Sequence, residues 1–296
     1  MIFINEPFIF KNEIKFIKDT ISKNWISSAG RYINKFEEKI KSITKSKFVT
    51  SCNSGTSALQ IAVNILAKKE EEIIVPSLTF VSTINSIYHN QCSPIFMDTN
   101  ENFNIDENKT IKFLKEKTIF KNKFTFNKVS GKKISAIIVV SVWGVPPKIE
   151  NLYKICKIRN IKIIEDATEA LGSLYIKGRF KKKHSGTIGD IGCLSFNGNK
   201  IITVGSGGMI LTNKKKYYKQ AKHLIKQCKK DSVNYIHDDV GYNFNLPALN
   251  AAFGLGQLTN LEKILKKKKE IFLYYKKELS GLKKFNFYIH PNYSKN

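Results

Sequence analysis

Acidic residues are scarce in this chain. Against 50 Lys and Arg stand only 24 Asp and Glu, a formal net charge of +26 over 296 residues. Such an excess invites nucleic acid as a partner. The lysines, however, fall in short separate clusters ("FKKKH", "NKKKYYK", "LKKKKE"), and no nucleic-acid motif accompanies them. With many Ile, Asn and Phe and few Ala and Gly, the excess reads as coding bias, and nucleic acid is not expected as a partner. A basic surface would still gather an anionic small substrate. Long apolar runs are also missing, so no membrane partner is expected. The opening "MIFINEPFIFKNEIKFIKDT" carries charges throughout and lacks the pattern of a secretion signal. The expectation is a cytoplasmic protein. Cysteine is limited to Cys52, Cys92, Cys156, Cys193 and Cys228, an odd number with no C-x-x-C pair. The five histidines (His89, His184, His223, His237, His290) show no i, i+4 pairing with an acidic neighbour. Neither a disulfide framework nor a metal site is expected, and the histidines read as surface or packing residues.

What is present is alternation. The strand-like "KFVTSC" precedes "GTSALQIAVNILAKK", whose Ala58, Leu59, Ala62, Val63, Ile65 and Leu66 recur at helical spacing. "EIIVPS", "TFVSTINSIYHN", "SPIFMD", "ISAIIVVSVWG", "NLYKICKIRN" and "IKIIEDAT" continue the series. Short apolar runs alternating with helices predict an α/β fold, a mostly parallel sheet covered on both faces. After Gly189 two close strands, "IGCLSF" and "GGMILTN", flank a turn that carries Lys200. The segment "KTIFKNKFTFNKVSGKKIS" reads as a loop insertion. Leu246 to about Lys277 reads as one long helical segment, and "KFNFYIH" as a further strand.

Three features converge on Lys200. In "SCNSGTSAL" a strand runs through Ser54-Gly55-Thr56 into a helix, whose first free amides suit an anion. In "KIIEDATEALG" Glu165 and Asp166 end an aliphatic strand, at the edge where open α/β sheets bind ligands. Asp166 or Thr168 could equally cap the next helix. In "SFNGNK" Ser195 precedes the lysine by five positions. Two phosphate motifs are excluded: Asn199 and Ile201 break G-x-x-x-x-G-K-[ST], and "GSGGMI" opens a strand rather than a helix. A phosphate cradle, a strand-end carboxylate and a lysine together fit pyridoxal 5′-phosphate, which needs an amine, an acid for its ring nitrogen and donors for its phosphate.

The chain resembles the DegT/DnrJ/EryC1/StrS family of pyridoxal-phosphate-dependent nucleotide-sugar aminotransferases. The likeness runs in order through "NEPFI", "NWISSAGRYINKFEEKI", "GTSALQIAV", "VPSLTFVST", "VWG", "EDATEALGSLY", "GTIGDIGCLSFNGNKIITVGSGGMI" and "GYNFNLPALNAAFGLGQL". It implies the aspartate aminotransferase type I fold, with residues 1–250 as the large cofactor-binding domain and 251–296 as the start of a small C-terminal domain. "EDATE", "SFNGNKIIT" and the insertion near 119–133 resemble the LegC-like branch. That branch aminates C4 of a UDP-linked 4-keto-6-deoxy-N-acetylhexosamine, with glutamate as the expected amino donor, on routes to legionaminic acid or bacillosamine-type sugars of surface glycans.

The resemblance also implies roles. Lys200 forms the Schiff base and moves a proton at the substrate carbon. Asp166, ionised against a cation, keeps the pyridine nitrogen protonated. Phe80 lies against the ring, and Gly55, Thr56 and Ser195 bind the phosphate. Asn243 reaches the phosphate of a neighbouring subunit, which implies a homodimer with shared sites. Glu169 lies near the cofactor's 3′ oxygen. One position departs: Asn245 stands where relatives carry Arg. Family members that are dehydratases have His in place of the lysine, so Lys200 argues against that activity. Relatives also continue beyond this chain's last residue. The expectation is therefore a cofactor-binding homodimer with weak or no transaminase turnover and a mobile segment after about residue 260. The competing reading is a catalytically impaired fragment or interaction protein of the same family. The uncovered helix face would include Leu258, Leu261, Leu265, Phe272, Tyr275 and Leu279.

Overall fold

The computed structural model describes residues 6–282, 287–288 and 291–295. In chain order its principal elements begin with two amphipathic helices, α1 (Lys11–Ser22) and α2 (Arg31–Thr44). Strands and helices then alternate: β1 (Phe48–Cys52), α3 (Gly55–Leu66), β2 (Glu72–Pro76), α4 (Val81–His89), β3 (Ser93–Met97) and α5 (Glu107–Glu116). The series continues with β4 (Thr118–Lys121), β5 (Phe124–Asn127), β6 (Lys133–Val140), α6 (Glu150–Ile158) and β7 (Lys162–Asp166). A two-residue β8 (Leu174–Tyr175), β9 (Ile191–Ser195) and β10 (Gly208–Thr212) follow, then α7 (Lys215–Ile225), α8 (Ala248–Leu258) and α9 (Leu261–Leu279).

The main sheet has the order β1-β10-β9-β7-β6-β2-β3. From β9 through β7, β6 and β2 to β3 every pairing is parallel. Only β10 runs against its neighbours β9 and β1 along this path. A parallel sheet needs helices on both faces, and consecutive strand residues serve opposite sides. Ile73 and Val75 join the core under α3, α4 and α7, whereas Ile74 joins the core under α5 and α6. A third cluster, centred on Phe36, Ile40 and Phe196, lies under α2 and α8.

The segment expected as a loop insertion is a hairpin. β4 and β5 pair antiparallel, and β5 adds to β6, also antiparallel. The two residues between them, Asn122 (φ 51°) and Lys123 (φ 64°), are both left-handed, as a two-residue turn that matches strand twist requires. The two strands are only four residues long, and Ile119, Phe120 and Phe124 stand exposed on them, so no apolar–polar alternation marks the pair. The helical stretch after Leu246 is likewise two helices, broken at Thr259–Asn260. α8 packs directly on α1 at Gly256, where a Cβ would stand 2.8 Å from the Glu13 backbone. The face expected to be uncovered is uneven. Leu258 and Leu261 are buried in the core with α2, Leu265 packs against it, and Tyr275 is exposed. "KFNFYIH" lies mostly outside the described residues. No helix among the described residues is long and apolar enough to cross a membrane.

One of the five histidines is part of this interior. His184 is buried, accepts from the Gly172 amide at Nε2 (2.8 Å) and donates from Nδ1 to the Ser185 carbonyl. Burial favours the neutral ring and holds its pKa down to about 4. The unfolded chain, with an ordinary imidazole, takes up this proton near pH 6.5, and the native chain does so only near pH 4. Stability is therefore full above about pH 6.5, falls by up to about 3 kcal/mol as pH drops toward 4, and loses nothing further from this group below that. Urea midpoints measured from pH 7 to 4 should show that loss, and His184→Gln should flatten it.

Candidate active site

The end of β7 divides two adjacent carboxylates between opposite sides. Glu165, expected with Asp166 at the ligand edge, turns instead to the segment before β9. It accepts the amides of Gly186 (2.8 Å), Ile188 (2.6 Å) and Gly189 (2.5 Å). Its role is to fix that segment. Asp166, 3% exposed, accepts the Thr83 hydroxyl (2.6 Å) and the Thr168 amide (3.2 Å). Thr83 in turn accepts from the Thr79 hydroxyl at 2.8 Å. The helix-cap alternative for Asp166 fails, because turns and then β8 follow β7 where a helix was expected; the Thr168 amide it accepts belongs to that turn.

Burial pushes the Asp166 carboxyl up, and the hydrogen bonds from Thr83 and Thr168, then the charge of Lys200, pull it back. No lysine or arginine among the described residues pairs with Asp166; Lys200 acts on it only through its field. A protonated ring nitrogen is the partner that such a buried, donor-fed carboxylate suits.

At the start of α3, the Ser54 side chain caps the helix by accepting the Ser57 amide at 3.0 Å. The first amides of any helix have no acceptor within it, so those of Gly55 and Thr56 present donors at this end. Gly55 is needed by space rather than by dihedral. A Cβ there would stand 2.7 Å from Ser195 Cβ, 2.9 Å from Ser195 Oγ and 3.3 Å from Thr168 Cγ2. Backbone amides at a helix N-terminus and the Ser195 hydroxyl are therefore gathered in one place, which fits a phosphate. Thr56 is exposed on the same turn.

Lys200 lies in the turn between β9 and β10. Its Nζ donates to Glu169 Oε1 at 3.2 Å, with the lysine side chain 16% exposed. The second Glu169 oxygen accepts the Trp143 amide at 2.9 Å. Phe80 stands just before α4, three residues from Thr83, and is 74% exposed, which excludes an ordinary core role. Asn243 is exposed and accepts from the Asn245 side chain (3.1 Å), so no hydrogen bond ties it to the other candidates. A cavity of about 530 Å³ adjoins the lysine turn, lined by Gly198, Lys200, Phe8, Phe10 and Lys263 among others. Of the candidates only Lys200 reaches it. No metal-type cluster occurs among the described residues.

Sequence reasoning missed Thr83 and Trp143. "TFVST" and "VWG" were visible as motifs, but nothing in them pointed to a partner 83 or 26 positions away.

The comparisons follow the same lines. The model of the DegT/DnrJ/EryC1/StrS aminotransferase family matches residues 7–295. A GDP-perosamine synthase of Escherichia coli O157:H7 is 35% identical over 281 residues, 94% of this chain and 71% of that one. A UDP-4-amino-4,6-dideoxy-N-acetyl-beta-L-altrosamine transaminase of Campylobacter jejuni is 32% identical over 258 residues, 86% of this chain and 64% of that one. Among solved structures, Helicobacter pylori PseC, an aminotransferase of pseudoaminic acid biosynthesis, superposes with a TM-score of 0.80 at 26% identity, covering 96% of this chain and 71% of that one.

Proposed function

Because this chain belongs to the DegT/DnrJ/EryC1/StrS aminotransferase family, whose members are sugar aminotransferases dependent on pyridoxal 5′-phosphate, we propose that it transfers an amino group, from glutamate, to C4 of a UDP-linked 4-keto-6-deoxy-N-acetylhexosamine. The product would enter a bacterial surface glycan by a LegC-like route to legionaminic acid. The observation that carries the reading is the cluster of Lys200, Glu169 and Asp166, with a phosphate-type cradle at Gly55 and Ser195.

Bound pyridoxal phosphate supplies the electron sink for the carbon that gains or loses a proton. The remaining work falls to side chains. Lys200 Nζ would hold the cofactor through its aldehyde carbon and, once an incoming amine has displaced it, would be free to carry a proton at the substrate carbon. Glu169 keeps that amine in place. Asp166 keeps the ring nitrogen protonated, and Thr83 and Thr168 orient its two oxygens. Gly55 and Thr56 amides with the Ser195 hydroxyl bind the phosphate, and the exposed Phe80 ring covers a face of the cofactor. Asn243, free of the protomer's own cluster, completes the phosphate site of a second copy in a homodimer. The division into a large domain to residue 250 and a small domain from 251 belongs to this reading; that boundary falls inside α8, whose Ala251, Ala252 and Leu258 share the core with α2, and α9 leads away from it.

The relatives' names cover both GDP- and UDP-linked sugars, so the test is a direct comparison. Protein loaded with pyridoxal phosphate, glutamate and either the UDP-linked keto sugar or its GDP-linked counterpart should yield an amino sugar only from the first, read by mass spectrometry. Amination of the GDP-linked sugar alone would replace the UDP assignment.

A further inference from the structure

The motif Val142-Trp143-Gly144 has no part in the scheme above, yet the structure holds it in an unusual state. Trp143 has φ 51°, the left-handed region that a bulky residue seldom adopts, and its side chain leaves the residue 62% exposed. Such an outlier persists only where its surroundings impose it. Here the Trp143 amide is taken by Glu169 Oε2 (2.9 Å), while Oε1 of the same carboxylate takes Lys200 Nζ (3.2 Å). One carboxylate thus ties the indole's backbone to the reactive amine. The ring is braced at steep angles by two others. Phe103 lies at 4.9 Å and 64°, and Tyr288 at 6.5 Å and 63°; the Tyr288 hydroxyl donates to Asn102 (3.0 Å). Edge contacts of this kind fix an aromatic ring while leaving a face open.

We infer that the Trp143 indole is the platform on which the hexose ring of the nucleotide sugar stacks, a specificity-determining contact beside Lys200. The inference rests on the nucleotide-sugar reading. The carbon served by Lys200 is a member of the hexose ring, so that ring is the part of the substrate nearest the amine. The base is separated from it by two phosphates and a ribose. A hexose, above all one that has lost its 6-hydroxyl, presents a C–H face whose burial on an indole is favourable. Glu169 sets the distance between amine and platform, and Phe103 and Tyr288 set the platform's tilt.

The chain has two tryptophans, Trp25 and Trp143, so Trp25→Phe leaves Trp143 as the sole indole reporter. Cofactor-loaded Trp25→Phe protein would be titrated with UDP-N-acetylglucosamine, GDP-mannose, UDP and GDP, following indole emission and calorimetric heat together. At least one nucleotide sugar should change the emission, and its bare diphosphate should not. Trp143→Ala should weaken that nucleotide sugar about tenfold and leave the diphosphate unchanged, while Trp143→Phe restores most of the loss. An equal emission change with UDP or GDP overturns the inference, because the base then occupies the platform. So does heat from a nucleotide sugar with a silent indole, or an affinity indifferent to Trp143→Ala; these outcomes leave the nucleotide-sugar reading intact. Absence of heat with all four compounds overturns both.

Discussion

Replacing Lys200 with Ala is expected to lower transamination by about 10⁴-fold, the scale of losing a positioned proton carrier, with loss of the covalent cofactor link in addition. Any of the 46 other lysines could substitute only if it also stood beside Glu169 and within the field of Asp166; Lys200 is the lysine bonded to Glu169 and acting on Asp166. The variant should still fold, because Glu169 is 39% exposed and water can replace its partner. Lys200→Arg sharpens the test. The guanidinium keeps the charge and the contact to Glu169 but offers no free amine, so it should be as inactive as the alanine variant. Borohydride reduction of the cofactor-loaded wild type should fix the label on the peptide carrying Lys200. A label on another lysine, or turnover in either variant, would remove Lys200 from its role.

The second large effect is expected from Asp166→Asn, a fall in turnover of about 10³-fold, the size of losing one preorganised electrostatic contact in a dry site. The physical case is that shape survives and charge does not. The Thr168 amide can only donate, so the asparagine oxygen must face it, leaving the amide nitrogen toward Thr83. The Thr83 hydroxyl can accept that nitrogen by turning, a relay that Thr79 can accommodate. Neutralising a buried carboxyl also removes a desolvation cost. Melting temperature and circular dichroism should therefore be unchanged or slightly improved while the rate collapses. Near-normal turnover would show that the charge of Asp166 is not what holds the ring nitrogen protonated. Equal loss of rate and of folding would make Asp166 a structural residue.

Much of this protein is legible one segment at a time. Apolar runs bounded by Gly, Ser and Asp announced the parallel strands, because strands buried on both faces must be continuously apolar. Gly55, Asp166, Ser195 and Lys200 were readable because their chemistry depends on residue type, chain order and position at strand or helix ends, all of which are local. The hairpin of residues 118–127 was not readable, since its four-residue strands expose Ile119, Phe120 and Phe124 and show no apolar–polar alternation, and only pairing with β6 makes it part of the sheet.

Partners across the chain were beyond reach for the same reason. Strand alternation guarantees that Glu165 and Asp166 point apart, but the sequence alone does not say which meets backbone amides and which meets a ligand. That is decided when β9 settles beside β7 and brings the amides of 186–189 to Glu165. Thr83 reaches Asp166 only because β2 and β7 lie on either side of β6, which places α4 over the strand end. Glu169 joins Lys200 and Trp143 from three separate connections of the same sheet. The sequence by itself determined the kinds of groups at the site and the strands that carry them, because those are properties of short segments. Tertiary structure decided which group faces which, because a hydrogen bond needs two atoms within about 3 Å, and only the sheet order brings residues so far apart along the chain to that distance.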